Sequence, residues 1–168
     1  MSKAKPFDAN VEVLGAVIIA ISQSINSDEL VPILEAHGLS NVQQDRWYPA
    51  STWIDALNDI AAHDNGSMNL VSASIKVSEN IPQADGDGTI KGAFVTANDT
   101  YNMSHRGGYI GEINVESSKE KEVTVSAYSP YPDDYLYGAF YGHARRHAPK
   151  GSNLRIYRDK PYVYRIAW

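Results

Sequence analysis

Apolar side chains recur along this chain with two periods, near 3.6 residues up to Gly108 and near 2 beyond it. That change divides it into a helical first part and a strand-rich second part. From Val11 to Ile25 the sequence is apolar nearly all round, with Val13, Leu14, Val17, Ile18, Ile21 and Ile25 on one helical face. Such a helix belongs at the centre of a core. Ser27 reads as the cap of a short helix that carries Leu30, Ile33 and Leu34 and ends at Gly38. Ser51 reads as the cap of an amphipathic helix with Trp53, Ile54, Leu57, Ile60 and Ala61 inward, and Trp47 and Tyr48 pack at its entry as a hydrophobic staple. Ser67 to Ile81 alternates in part, as a strand would, but Met68, Val71, Ser72, Ile75 and Ser78 fit a helix of the length that Gly66 and Pro82 allow. Gln83 to Gly88 is an acidic loop without calcium-loop spacing. Ile90, Phe94, Ala97, Tyr101 and His105 predict one more helix, closed by Gly107 and Gly108.

The second part predicts a hairpin of Tyr109 to Val115 and Val123 to Tyr128, then one helix, then strands over Asn153 to Tyr157 and Tyr162 to Trp168. The stretch Ser126 to Pro149 organises the rest. Pro132 suits the first helical turn, Asp133 and Asp134 stand at the positive end, and Arg145, Arg146 and His147 stand at the negative end. Gly138 and Gly142 form a bare stripe on this helix, at a cost of about 1 kcal/mol each relative to alanine. Close approach to a flat partner, a β-sheet, is the expected compensation. The fold class is therefore α+β: one domain over 1–168, with a helical lobe of about five helices (9–107) and a ββαββ antiparallel four-stranded sheet lobe with one helix packed on it (108–168).

Charge and composition narrow the function. The net charge of −5 disfavours nucleic acid, whose phosphates need a basic field. The chain has no cysteine, which excludes disulfides and thiolate metal sites and makes a reducing, cytoplasmic compartment the simplest one. The apolar run Val13 to Ile21 is too short for a membrane span, which takes about 20 residues. There is no nucleophile elbow, P-loop or dinucleotide fingerprint.

Several side chains are candidates for chemistry. His143 and His147 have the i, i+4 spacing of a chelating pair, but Arg145 and Arg146 stand beside them and repel a cation, so His143 is expected to be a packed or interface histidine and His147 to decorate the helix C-terminus. Asp133 and Asp134 point about 100° apart on a helix and cannot share a proton. Arg106 follows His105 and can pair with Asp133 or Asp134. Eleven tyrosines are many for this length, and Tyr128, Tyr131, Tyr135, Tyr137 and Tyr141 cluster around the organising helix. With the glycines against a sheet, Tyr137 and Tyr141 face outward near Arg145, an aromatic and arginine pattern typical of protein interfaces. A pocket wall is the other reading of the phenols.

Trp47-Tyr48-Pro49 with Trp53, the run Tyr101 to Gly108, and Tyr128-Ser129-Pro130-Tyr131-Pro132 carry a further signal. Their layout resembles the superfamily that includes haem–nitric-oxide/oxygen-binding (H-NOX) domains, vinyl-reductase-type ligand-binding domains and small subunits of the TRAPP tethering complex. The resemblance implies a bacterial sensor or assembly module rather than an enzyme. It also implies a haem-binding alternative in which His105 holds the iron. The propionate clamp of that group, Tyr-x-Ser-x-Arg, departs here: alignment on Ser129 places Ala127 and Tyr131 at the outer positions.

The leading expectation is a non-enzymatic module that self-associates as a homodimer or docks a protein partner, holding a small apolar ligand between its lobes. Tyr101, His105, Arg106, Tyr128 and Tyr131 are the ligand-binding candidates, and Tyr137, Tyr141 and Arg145 the interface candidates. No resident cofactor or metal is expected. The alternatives are a haem or tetrapyrrole sensor using His105 and a small enzyme built on Tyr101, His105, Arg106 and Tyr131.

Overall fold

The fold is given by a computed structural model, which describes residues 7–24 and 27–168. Ile25 and the side chain of Ser27 lie outside the described residues. The elements run β1 (Glu12–Leu14), α1 (Gly15–Ser22), α2 (Ser27–Ala36), β2 (Trp47–Pro49), α3 (Ala50–Ala62), α4 (Gly66–Asn80), α5 (Ile90–Val95), α6 (Ala97–Met103), β3 (His105–Arg106), β4 (Glu112–Lys119), β5 (Glu122–Tyr128), α7 (Asp133–His147), β6 (Arg155–Lys160) and β7 (Val163–Ala167). The described residues thus form a mixed α/β structure with seven helices and two antiparallel sheets.

The second half matches the expected strand–strand–helix–strand–strand order and closes into a four-stranded sheet ordered β4-β5-β7-β6. Its hairpin strands are longer than their alternation indicates: Glu116 to Lys119 continue β4 past a bulge at Val115/Ser117, leaving only Glu120 and Lys121 for the turn. The first half carries a three-stranded sheet, ordered β2-β1-β3, that periodicity did not indicate. Val13 lies opposite Tyr48 on one side and His105 on the other. The expected continuous helix from Val11 therefore begins only at Gly15. Trp47 and Tyr48 form a strand rather than a staple. Helix α3 starts at Ala50 with Pro49 at its cap, and Ser51 lies inside the first turn. The expected helix over 90–105 is two helices broken at Thr96, whose hydroxyl turns back onto Gly92 O and Ala93 O, and it stops before His105.

Helix α7 is held on three sides. Its inner face buries Leu136, Phe140 and Ala144, and Phe140 meets Tyr164 of β7 edge-on with ring centroids 5.0 Å apart. Burial of each large apolar side chain stabilises by about 1.5–3 kcal/mol. Its first turn is tied to the sheet: Asp133 accepts from the Tyr162 N–H at 3.0 Å and from the Tyr164 hydroxyl, and Arg158 of β6 bridges Asp133 at 3.2 Å and Asp134 at 2.6 Å. The acids thus serve the positive helix end and a sheet anchor together.

The glycine stripe does not meet the sheet. A Cβ added at Gly138 would collide with the Val71 carbonyl and Ser74 Oγ, and one at Gly142 would stand 2.6 Å from the Ile75 carbonyl and 3.0 Å from Ser78 Cβ. The flat partner is helix α4. Small residues on both sides, Gly138 and Gly142 against Ser74 and Ser78, bring the two backbones together. Steric loss from Gly138→Ala should outweigh the helical gain of alanine, lowering stability by about 1–3 kcal/mol in urea unfolding. An unchanged or raised midpoint would show that α4 does not lie against that face.

Candidate functional site

Between helices α1, α4 and α6 on one side and α7 with β4 on the other lies a cavity of about 80 Å³. Val17, Val77, Ala97, Ile113, Leu136 and Phe140 supply apolar wall. Three of the expected ligand residues converge there. The α6–β3 junction brings Tyr101 and His105, and the turn after β5 brings Tyr131, which is only 1 % exposed.

Their polar atoms are bound to one another. His105 Nδ1 lies 2.6 Å from the Tyr101 carbonyl, which can only accept, so Nδ1 carries the proton. Nε2 then accepts from the Tyr131 hydroxyl at 2.7 Å. The Tyr101 hydroxyl donates to the Ile110 carbonyl at 3.2 Å and accepts from Ser129 Oγ at 2.9 Å, while Ser129 Oγ accepts from the Tyr131 N–H at 3.3 Å. Tyr135 stacks on Tyr131 with centroids 5.1 Å apart. Desolvation pushes the His105 pKa down to about 4, against the raising effect of the Tyr101 carbonyl, and pushes Tyr131 up. Proton transfer within this pair is therefore opposed from both ends, and the pair stays neutral.

A second histidine closes the far wall with the opposite tautomer. His143 Nε2 donates to the Ala93 carbonyl at 2.8 Å, and Nδ1 accepts from the Gln83 amide at 2.9 Å. The Gln83 carbonyl oxygen in turn accepts from His147 Nε2 at 2.8 Å. The expected i, i+4 pair is thus spanned by a carboxamide, and both ring nitrogens of His143 are engaged in the fold. Desolvation also lowers the His143 pKa.

Arg106 does not join the cavity or pair with Asp133 or Asp134. Its guanidinium donates to Glu12 at 2.6 Å and lies 4.6 Å over the Trp47 ring, across the small sheet. Tyr128 ends β5 opposite Glu112, outside the cavity. Of the interface candidates, Arg145 is exposed and donates to Glu79, with its guanidinium 5.9 Å over the Tyr141 ring. Tyr137 does not point freely outward: its hydroxyl donates to the Ile156 carbonyl at 3.3 Å and its ring lies 5.1 Å under Arg158. The wall also includes Tyr135, a member of the tyrosine cluster that is not among the expected ligand residues, and the buried serines Ser78 and Ser104.

Haem does not fit this site as it stands. Both His105 nitrogens are taken within the fold, and a cavity of about 80 Å³ is far smaller than a tetrapyrrole. Among the described residues, no helix is long and apolar enough to cross a membrane, and no group of three or more histidine, aspartate or glutamate side chains is placed to hold a metal ion. No protein-family model matches the chain, and no curated protein matches it.

Neutral His105 should make stability depend on pH. Its folded pKa lies below the ordinary value of 6.5, so its contribution is full above pH 6.5 and is lost as pH falls toward 4, by about 3 kcal/mol at pH 4. Urea unfolding should therefore weaken across that window, and His105→Gln should flatten the slope. A variant as steep as the parent would place the protonation elsewhere.

Proposed function

We propose that the protein is a non-catalytic binding module that holds a small, mainly apolar ligand in the cavity beside α7 and communicates through a protein partner or a second copy of itself. One observation carries this reading. Of the five titratable groups on the cavity wall, His105, His143, Tyr101 and Tyr131 are engaged in hydrogen bonds within the fold, and burial holds these four and Tyr135 in neutral forms. Such a wall retains a molecule without offering it a base, an acid or a nucleophile. Pockets of this kind bind by shape and apolar contact, with few polar groups setting orientation.

The route outward runs through α7. Leu136, Ala139, Phe140 and His143 line the cavity, while Tyr141 and Arg145 stand on the same helix toward solvent. A ligand that wedges against α7 would shift the surface those residues present, and a homodimer or partner contact there would read the shift.

Xenon is a suitable probe of the cavity, since it enters apolar voids without hydrogen bonds. Under xenon pressure, saturable shifts should appear at the amides of Ser78, Thr100 and Ala139. Spectra that do not move would remove the ligand-holding reading. Sedimentation at tens of micromolar should show dimer in exchange with monomer. A sharp monomer boundary at every concentration would remove the self-association half and leave partner docking.

A further inference from the structure

Among the described residues, three hydroxyls on the cavity wall have no partner. Ser78 and Ser104 are each 5 % exposed and Tyr135 is 6 % exposed, so little of each residue meets solvent. All three line the cavity. Ser78 and Ser104 use their backbone carbonyls, which accept from Gln83 Nε2 and from the Leu14 N–H. Among the described residues, however, none makes a hydrogen bond to Ser78 Oγ, Ser104 Oγ or the Tyr135 hydroxyl. The neighbouring wall groups differ: Thr100 Oγ1 accepts from the Ala84 N–H, and Tyr101 and Tyr131 are engaged as described. Trp53 Nε1 is also unpartnered, but it is sealed in the core away from the cavity.

Buried polar groups are paired in nearly all native structures, and leaving one unpaired costs about 1–3 kcal/mol. Three such hydroxyls facing one cavity are therefore positions for a ligand's polar atom. Among the described residues, no lysine, arginine, aspartate or glutamate lines the wall, and its two histidines are neutral. A charged ligand would be buried there without a counter-ion, which is strongly unfavourable.

Building on the binding-module reading, we infer that the cavity is specific for an uncharged small molecule with an apolar body and one polar oxygen, a ketone or an alcohol, whose oxygen finds its hydrogen-bond partners among the hydroxyls of Ser78, Ser104 and Tyr135. Each hydroxyl can both donate and accept, so carbonyl and hydroxyl ligands are both served. The geometry also fixes the sign of selectivity. A dry, wholly apolar cavity prefers a hydrocarbon over its oxygenated analogue, whereas a site with waiting hydroxyls rejects the analogue that leaves them unpaired.

The test titrates the full chain with cyclopentane, cyclopentanone and cyclopentanol, following the cavity amides by NMR. Cyclopentanone or cyclopentanol should bind at least about tenfold more tightly than cyclopentane, as one net hydrogen bond would give. Tyr135→Phe and Ser104→Ala should each narrow that ratio, and the two combined with Ser78→Ala should reverse it. Thermal melts of these variants should be unchanged or higher, because each removes an unpaired hydroxyl. Equal or tighter binding of cyclopentane to the parent protein would overturn the inference while leaving a ligand-holding cavity. An oxygen preference that survives in the triple variant, or, should that variant not fold, in Tyr135→Phe and Ser104→Ala alike, would also overturn it. If none of the three probes moves the cavity amides, the inference and the binding-module reading fall together.

Discussion

The backbone contact between α4 and α7 is the constraint on which the rest of the structure depends. Two glycines remove the side chains that would hold these helices apart, and Ser74 and Ser78 fill the seam from the other side. Helix α7 then lies between α4 and the four-stranded sheet, with a different partner for each face. Gly138 and Gly142 face α4, Phe140 meets β7, and Tyr137 meets β6. Backbone approach of this kind tolerates no added methylene, so the register between the helices is set sterically. The helix propensity that the glycines give up is offset by packing that larger residues would forbid.

The cavity follows from the same geometry. Helix α7 rests on its glycines at one face and on Phe140 at another, and Ala139 and His143 lie between them. Around that space the fold settles its polar groups in two chains. One runs from the Tyr101 carbonyl through His105 to Tyr131, and the other from the Ala93 carbonyl through His143 and Gln83 to His147. The two imidazoles hold opposite tautomers because each is oriented by a backbone carbonyl at a different nitrogen. These closed chains account for the neutrality of the site. They also set apart the three hydroxyls that the fold leaves unpaired.

Much of this was legible in the pattern of residues, and the exceptions have physical causes. Helices α3, α4 and α7 and the hairpin are long enough for their periods to accumulate, and α7 carries its acids and cations at the expected ends. The small sheet was not legible because β1, β2 and β3 are two or three residues long, too short for alternation to register. Val11 to Leu14 could join the helix that follows, since three apolar residues around Glu12 are too few to set a period of their own. The glycine stripe correctly announced a close neighbour but not which one, because a helix backbone lined by serines is as flat as a sheet. The cavity gathers His105 and Tyr131 but not Arg106, because His105 and Arg106 lie in a strand, where successive side chains point to opposite faces. The unpaired state of Tyr135, Ser78 and Ser104 carried no sequence signal, since an unpaired hydroxyl is defined only by its surroundings.

Proton–proton contacts of the two seam glycines test the central contact most directly. A nuclear Overhauser spectrum should connect the Gly138 α-protons to Val71 and Ser74, and those of Gly142 to Ile75 and Ser78. Cross-peaks from the same α-protons to Tyr164 or Ile166 of the sheet, with none to α4, would contradict the account.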